Sequence, residues 1–104
     1  MIVRVWRGHA ADARGADGYA EHLRDRVFPQ LERIAGQRGA YLLRRDVQDG
    51  IEVLVVTLWD SYEAISRFAG DTPDVAVVEP PVARLLDLTD SHVSHFDVAL
   101  AAGI

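Results

Sequence analysis

No cysteine occurs in the 104 residues. Disulfides, thiolate nucleophiles and cysteine-based metal sites are therefore excluded. Lysine is absent too, and all 11 basic residues are arginine. A GC-rich coding bias accounts for this more simply than a functional demand for guanidinium groups. Nor is there a cationic excess, since 16 acidic residues leave a net charge of −5 at pH 7. That balance, with no basic run, argues against nucleic acid or an anionic membrane surface as partner. No apolar run approaches the ~18 residues of a membrane span, and the start Met1-Ile2-Val3-Arg4-Val5 lacks the order of a secretion signal. A soluble, cytoplasmic protein is the expectation.

What is present is apolar and β-branched. Hydrophobic residues make up 49% of the chain, a high share for one small domain that buries only about 65% of its unfolded surface. The longest such run is Ile51 to Asp60, in which Thr57 is the one polar residue between Val53 and Trp59. A strand that does not alternate is buried on both faces. Helices of the same chain can cover one face. A second copy is the simplest cover for the other, so a homodimer joined sheet to sheet is expected.

Along the chain, Ile2 to His9 reads as a strand with Ile2, Arg4 and Trp6 on one face and Val3, Val5, Arg7 and His9 on the other. An arginine on each face predicts that one lines a polar pocket or an interface. After a loop over 10–16, a helix is predicted from about Asp17 to Ala35, with Tyr19, Leu23, Val27, Leu31 and Ile34 as its buried stripe. Pro29 predicts a kink near Asp25 to Phe28, and Gly36 a stop. Ala40 to Val47 is a second strand, turning through Gln48-Asp49-Gly50 into the third. Arg44 and Arg45 beside Asp46 read as a charged rim on an edge strand. Ser61 caps a helix buried through Ala64, Ile65, Phe68 and Ala69. A helical turn within 71–79 and a short helix at Val82 to Leu86 follow. Ser91 to Val98 is the last strand, with His92, Ser94 and Phe96 on one face and Val93, His95 and Asp97 on the other. Residues 99–104 form a tail. The order βαββαβ predicts an α+β, ferredoxin-like domain over 1–104: a four-stranded antiparallel sheet with its helices on one face.

Ile-Val-Arg-Val-Trp-Arg-Gly at 2–8, Leu-Leu-Arg-Arg at 42–45, Val-Thr-Leu-Trp-Asp-Ser at 56–61, Arg-Phe-Ala-Gly at 67–70, Ala-Val-Val-Glu-Pro-Pro at 76–81 and His-Phe-Asp-Val at 95–98 occur in that order. Together they resemble the antibiotic biosynthesis monooxygenase domain family of dimeric α+β barrels. The resemblance implies a homodimer and a pocket in each subunit between sheet and helices. It implies a range of activities, from cofactor-free oxygenation of anthrones or quinols to heme degradation. The heme-degrading members resemble one another in a first-strand Asn, a second-helix Trp and a later His. This chain has Trp6 and Phe68 near the first two positions and no His between Ser61 and Ser91, which disfavours heme degradation.

Cofactor-free oxygenation needs a substrate held as phenolate or enolate, so a base, a cationic or N–H donor and an apolar aromatic box are required. Arg4 and Trp6 are the candidate donors and His95 the candidate base, if the last strand pairs with the first; Tyr19, Phe28, Trp59 and Phe68 are the candidate substrate-binding wall. Each has a plainer reading: Arg4 paired with a carboxylate, Trp6 and Trp59 as core, His95 hydrogen-bonded at an interface. His92 and His95 fall on opposite faces of a strand, and His9 and His22 are expected to be solvated, so no metal site is expected. The leading reading is a monooxygenase-like protein acting on a small aromatic substrate without metal or flavin. The rival is a non-catalytic module that binds a hydrophobic small molecule.

Overall fold

A computed structural model of the chain describes residues 1–103. Strand β1 (Ile2–Ala10) pairs antiparallel along its whole length with β3 (Gly50–Trp59), from Ile2 opposite Trp59 to Ala10 opposite Ile51. Strand β2 (Gln37–Val47) joins β3 through the Gln48-Asp49 turn. The other edge of β1 is shared by two short strands, β4 (Leu88–Thr89) and β5 (Ser94–Asp97). The spatial order β2-β3-β1-β4/β5 is the ferredoxin-like one.

Of the expected last strand, Ser91 to Val98, only Ser94–Asp97 pairs with β1, and the two-residue strand Leu88–Thr89 precedes it. The indole Nε1 of Trp6 donates to the Asp90 carbonyl at 2.7 Å, and His92 bridges to Val75 rather than to β1. Within 71–79 the expected turn is a single one, in which the Val75 amide donates to the Thr72 carbonyl at 3.1 Å; it goes no further, because Val75 pairs with His92 and the Arg4 guanidinium takes the carbonyls of Pro73 and Val75. The expected helix at Val82 to Leu86 is one 3₁₀ turn, Pro80–Arg84. Of the tail, Ile104 lies outside the described residues.

Helix α1 (Ala13–His22) begins four residues earlier than predicted, because the Asp12 carboxylate accepts from the Gly15 amide at 2.9 Å. Pro29 leaves its mark as predicted. It cannot donate to the Asp25 carbonyl, and the helix runs through a π-turn over Leu23–Val27, where the Phe28 amide donates to Leu23. Helix α2 (Phe28–Leu31) completes the segment. Gly36 at φ 91° turns the chain, and its carbonyl accepts from Asp60 at 2.8 Å. Helix α3 (Tyr62–Ala69) is capped by the Ser61 hydroxyl, which accepts from the Ala64 amide at 3.1 Å. None of these helices is long and apolar enough to cross a membrane.

The helices cover one face of the sheet. Ile2, Arg4, Trp6, Ala10, Ile51, Val53, Thr57 and Trp59 are buried beneath them. The core forms two clusters, one around Trp6, Tyr19, Leu23 and Val53, the other around Leu31, Trp59 and Ile65, and Val27 and Phe28 pack against both. The opposite face has no cover. There, register aligns Tyr41, Val56 and Val5, and also Leu58, Val3 and Phe96. Tyr41 is 58% and Phe96 57% exposed.

Candidate functional site

A cavity of about 390 Å³ opens between the two core clusters, beneath β1 and β3. Leu23, Leu31, Ile34, Val55, Val82 and Val93, with the rings of Trp6, Tyr19 and Phe68, give it an apolar wall, and Arg4, His22, Gln30, Thr57, Arg67 and Glu79 supply its polar groups. The Trp6 and Tyr19 rings lie 5.9 Å apart at 41°. Gly8 matters here: a Cβ at that position would meet Leu86 at 2.9 Å and the Trp6 ring at 3.1 Å. Burial pushes the Tyr19 phenol well above its ordinary range, so it stays neutral.

Arg4 and His95 face each other across β1 and β5, so the last strand has the phase that puts both on the helix side. Arg4 Nη1 lies 3.2 Å from His95 Nε2 and also donates to the Pro73 carbonyl; Nη2 donates to Val75 at 3.3 Å. The guanidinium carbon sits 5.8 Å from the Phe68 ring centre. Burial pushes the Arg4 guanidinium down, opposed by the charge of Asp74. A guanidinium only donates, so His95 Nε2 must accept. The ring proton is then on Nδ1, which faces the Asp74 carboxylate at 3.2 Å. This chain fixes the tautomer of His95 and occupies its lone pair.

The candidate residues therefore separate. Arg4, Trp6, Tyr19 and Phe68 meet at the cavity, whereas His95 stands behind Arg4, away from the lining. Trp6 offers its ring face and no free donor, its N–H being spent on Asp90. Trp59 is fully buried, donates to Thr57 Oγ1 at 2.8 Å and stacks on Phe68 with centroids 6.1 Å apart, so it supports the wall from behind. Phe28 bridges the core clusters and does not line the cavity.

Two histidines differ from expectation. His9 Nδ1 lies 2.7 Å from Asp87. His22, expected in water, has a side chain only 10% exposed, lines the cavity and places Nε2 3.7 Å from the Glu79 carboxylate. The signal lay in the spacing, since Tyr19, His22 and Leu23 follow i, i+3, i+4 and share one helix face. Among the described residues, no three His, Asp or Glu side chains converge as a metal-binding set.

No protein-family model and no curated protein matches the chain. Solved structures do. A candidate antibiotic biosynthesis monooxygenase from Bacillus cereus aligns over 100% of this chain and 96% of its own, with TM-score 0.72 and 16% identity. The heme-degrader MhuD from Mycobacterium tuberculosis, solved with two hemes in its active site, aligns over 99% and 100% with TM-score 0.67 and 21% identity. SnoaB, a cofactor-independent oxygenase from Streptomyces nogalater, aligns over 96% and 95% with TM-score 0.59 and 17% identity. At such identities the likeness speaks for the backbone, and fold does not fix chemistry. The chain has the fold of the antibiotic biosynthesis monooxygenase structures, as the ordered sequence blocks led us to expect.

Proposed function

We propose that the chain is a cofactor-independent, monooxygenase-like protein that takes a small aromatic substrate of the quinol, anthrone or polyketide type into this cavity. It works as a homodimer closed through the bare sheet face. The observation that carries the reading is an apolar cavity with three aromatic rings in its wall, lined by a buried arginine and by a histidine–carboxylate pair. A flat substrate stacks between Trp6, Tyr19 and Phe68. Arg4 keeps two N–H groups beyond those it spends on Pro73, Val75 and His95, and its charge favours an oxyanion within a site of low dielectric. The substrate anion is the reductant. For an anthrone, the CH2 carbon loses two hydrogens and gains one oxygen of O2, and the other oxygen leaves as water. All four electrons come from the substrate.

The rival, a binding module without catalysis, draws on the same geometry, because Trp6 and His95 both spend their polar groups on holding loops. Oxygen consumption decides between them. Purified protein given a panel of hydroquinones and anthrones should take up O2 and place one 18O atom from 18O2 in the product. Arg4→Ala and Trp6→Phe should slow uptake more than His95→Ala. No uptake with any member of the panel, with the substrate nonetheless bound, selects the module.

A further inference from the structure

We infer that His22 is the cavity's proton acceptor for a hydroxylated aromatic ligand, and that Glu79 is the carboxylate that holds the resulting imidazolium. This deepens the proposed function and rests on the same cavity. His22 ends α1 where the π-turn begins, one helical turn after Tyr19, whose ring centre is 6.3 Å away. Turns of this type recur at functional sites because the extra residue re-aims the side chains around it. His22 Nε2 lies 3.7 Å from Glu79 Oε2, close enough for charge attraction once the ring is protonated and beyond a hydrogen bond. Its nitrogen is therefore free for a ligand, in contrast to His95, whose two nitrogens face Arg4 and Asp74.

The groups facing this position are few. Tyr19 lies on the same helix, Glu79 on the loop before the 3₁₀ turn, and Arg4 on β1 and Arg67 on α3 line the same cavity. Arg67 is tied to the Ala35 carbonyl at 2.7 Å and to Glu63 at 3.1 Å. The step is a proton transfer. The ligand O–H bond breaks, its electron pair stays on oxygen, and an N–H bond forms at His22 Nε2. Glu79 then faces a cation, and Arg4 offsets the charge left on the ring system.

The test uses a dye whose ionisation is visible. The probe is 1,8-dihydroxyanthraquinone, bound to the full chain and titrated from pH 5 to 9 while its absorption band is followed. In the wild type the bound dye should ionise at least one pH unit below the free dye, a tenfold shift. His22→Gln should remove the shift yet still bind neutral dye at pH 5. Glu79→Gln, at a side chain 40% exposed, should remove part of it and stands in if His22→Gln does not fold. Bound dye that ionises at the free-dye pH in the wild type, or at one unchanged pH in all three proteins, overturns the assignment. Oxygen uptake separates the two levels. Dye ionisation without O2 consumption retains His22 and defeats the oxygenase, whereas O2 consumption with a pH profile indifferent to both substitutions does the reverse.

Discussion

The two faces of the sheet are built from the same strands with the same β-branched residues, one residue out of phase. Beneath the helices, Trp59 and Val53 are fully buried. On the reverse, Val3, Val5, Leu54, Val56 and Leu58 are only half-buried, and Tyr41, Leu43 and Phe96 are exposed. Arginines mark the contrast. Arg4 on the inner phase is 5% exposed and meets two carbonyls and His95. Arg7 on the outer phase has a side chain 59% exposed beside Asp90. The outer face is charged at one end, with Arg7, His9, Arg45 and Glu52, and apolar toward the other. An uncovered face that is apolar over one end and charged at the other fits the homodimer contact proposed above. Alternation alone does not decide what is covered; a one-residue phase decides which covering arrives from the same chain.

The contrast is broken most severely at Trp59. Trp59→Ala leaves a cavity behind Phe68 and should cost about 3–5 kcal/mol. Phe96→Ala, on the other face, should change the stability of a single subunit by no more than about 0.5 kcal/mol. Urea midpoints at concentrations low enough to separate subunits measure both, and comparable losses at the two sites would erase the distinction. Next in size, Val56→Asp puts an unpaired carboxylate at the centre of the bare face. A penalty on the order of 3 kcal/mol corresponds to roughly a hundredfold weaker self-association. Sedimentation should show subunits separating while the circular dichroism of the fold persists. Wild-type protein that stays monomeric at micromolar concentration would remove the premise.

Arg4→Met sharpens the inner half of the comparison. It fills similar space but leaves the Pro73 and Val75 carbonyls and His95 without their donor. Unsatisfied groups of this kind cost about 2 kcal/mol together when partly reached by water. The loss should be local first. Amide exchange should accelerate at Ala76 and Val93, whose hydrogen bonds to the Ser91 and Asp74 carbonyls tie residues 74–76 to residues 91–93. Unchanged exchange at those two amides would mean that Arg4 does not fasten the segment.

What could be read in advance follows the same division. Strand order, the Ser61 cap, the Pro29 distortion and the Arg4–Trp6 face rest on local chemistry and period, which a single sequence carries. The breaks came where a distant side chain took a backbone group. Trp6 claims the Asp90 carbonyl and Arg4 claims those of Pro73 and Val75, so the last strand starts later than expected and the helical turn stops at Val75. Those partners lie 69 to 84 positions apart, beyond any periodicity. Of the site, Arg4, Trp6, Tyr19 and Phe68 were legible as apolar or cationic residues on buried phases. Trp59 and Phe28 were on buried phases too, but period does not distinguish a wall from the layer behind it. His22 is polar by type, which points to water, yet it shares the Tyr19 face of the helix and so lines the cavity.

The smallest effect is expected where an arginine pair lies in water. Arg38 clamps Asp60 through Nε–Oδ1 at 2.8 Å and Nη2–Oδ2 at 2.5 Å, with side chains 58% and 43% exposed. The Arg38 hydrogen bond, helped less by its charge, holds the Asp60 carboxyl below its ordinary value of 3.8 against the opposing effect of desolvation. A folded-state value below the unfolded one means that the contribution is complete above pH 3.8 and fades as the pH falls through the lower, folded value. Asp60→Asn should therefore lower the urea midpoint slightly at pH 7 and leave it equal to wild type near pH 2. High salt should shrink the neutral-pH difference further, because exposed charges are screened. The cost of Arg4→Met should resist salt better, since two of its partners are the carbonyls of Pro73 and Val75, with Asp74 the one charge that acts on it. A difference at Asp60 that grows toward acid, or that resists salt as Arg4 does, would place that pair in the same environment as the buried arginine.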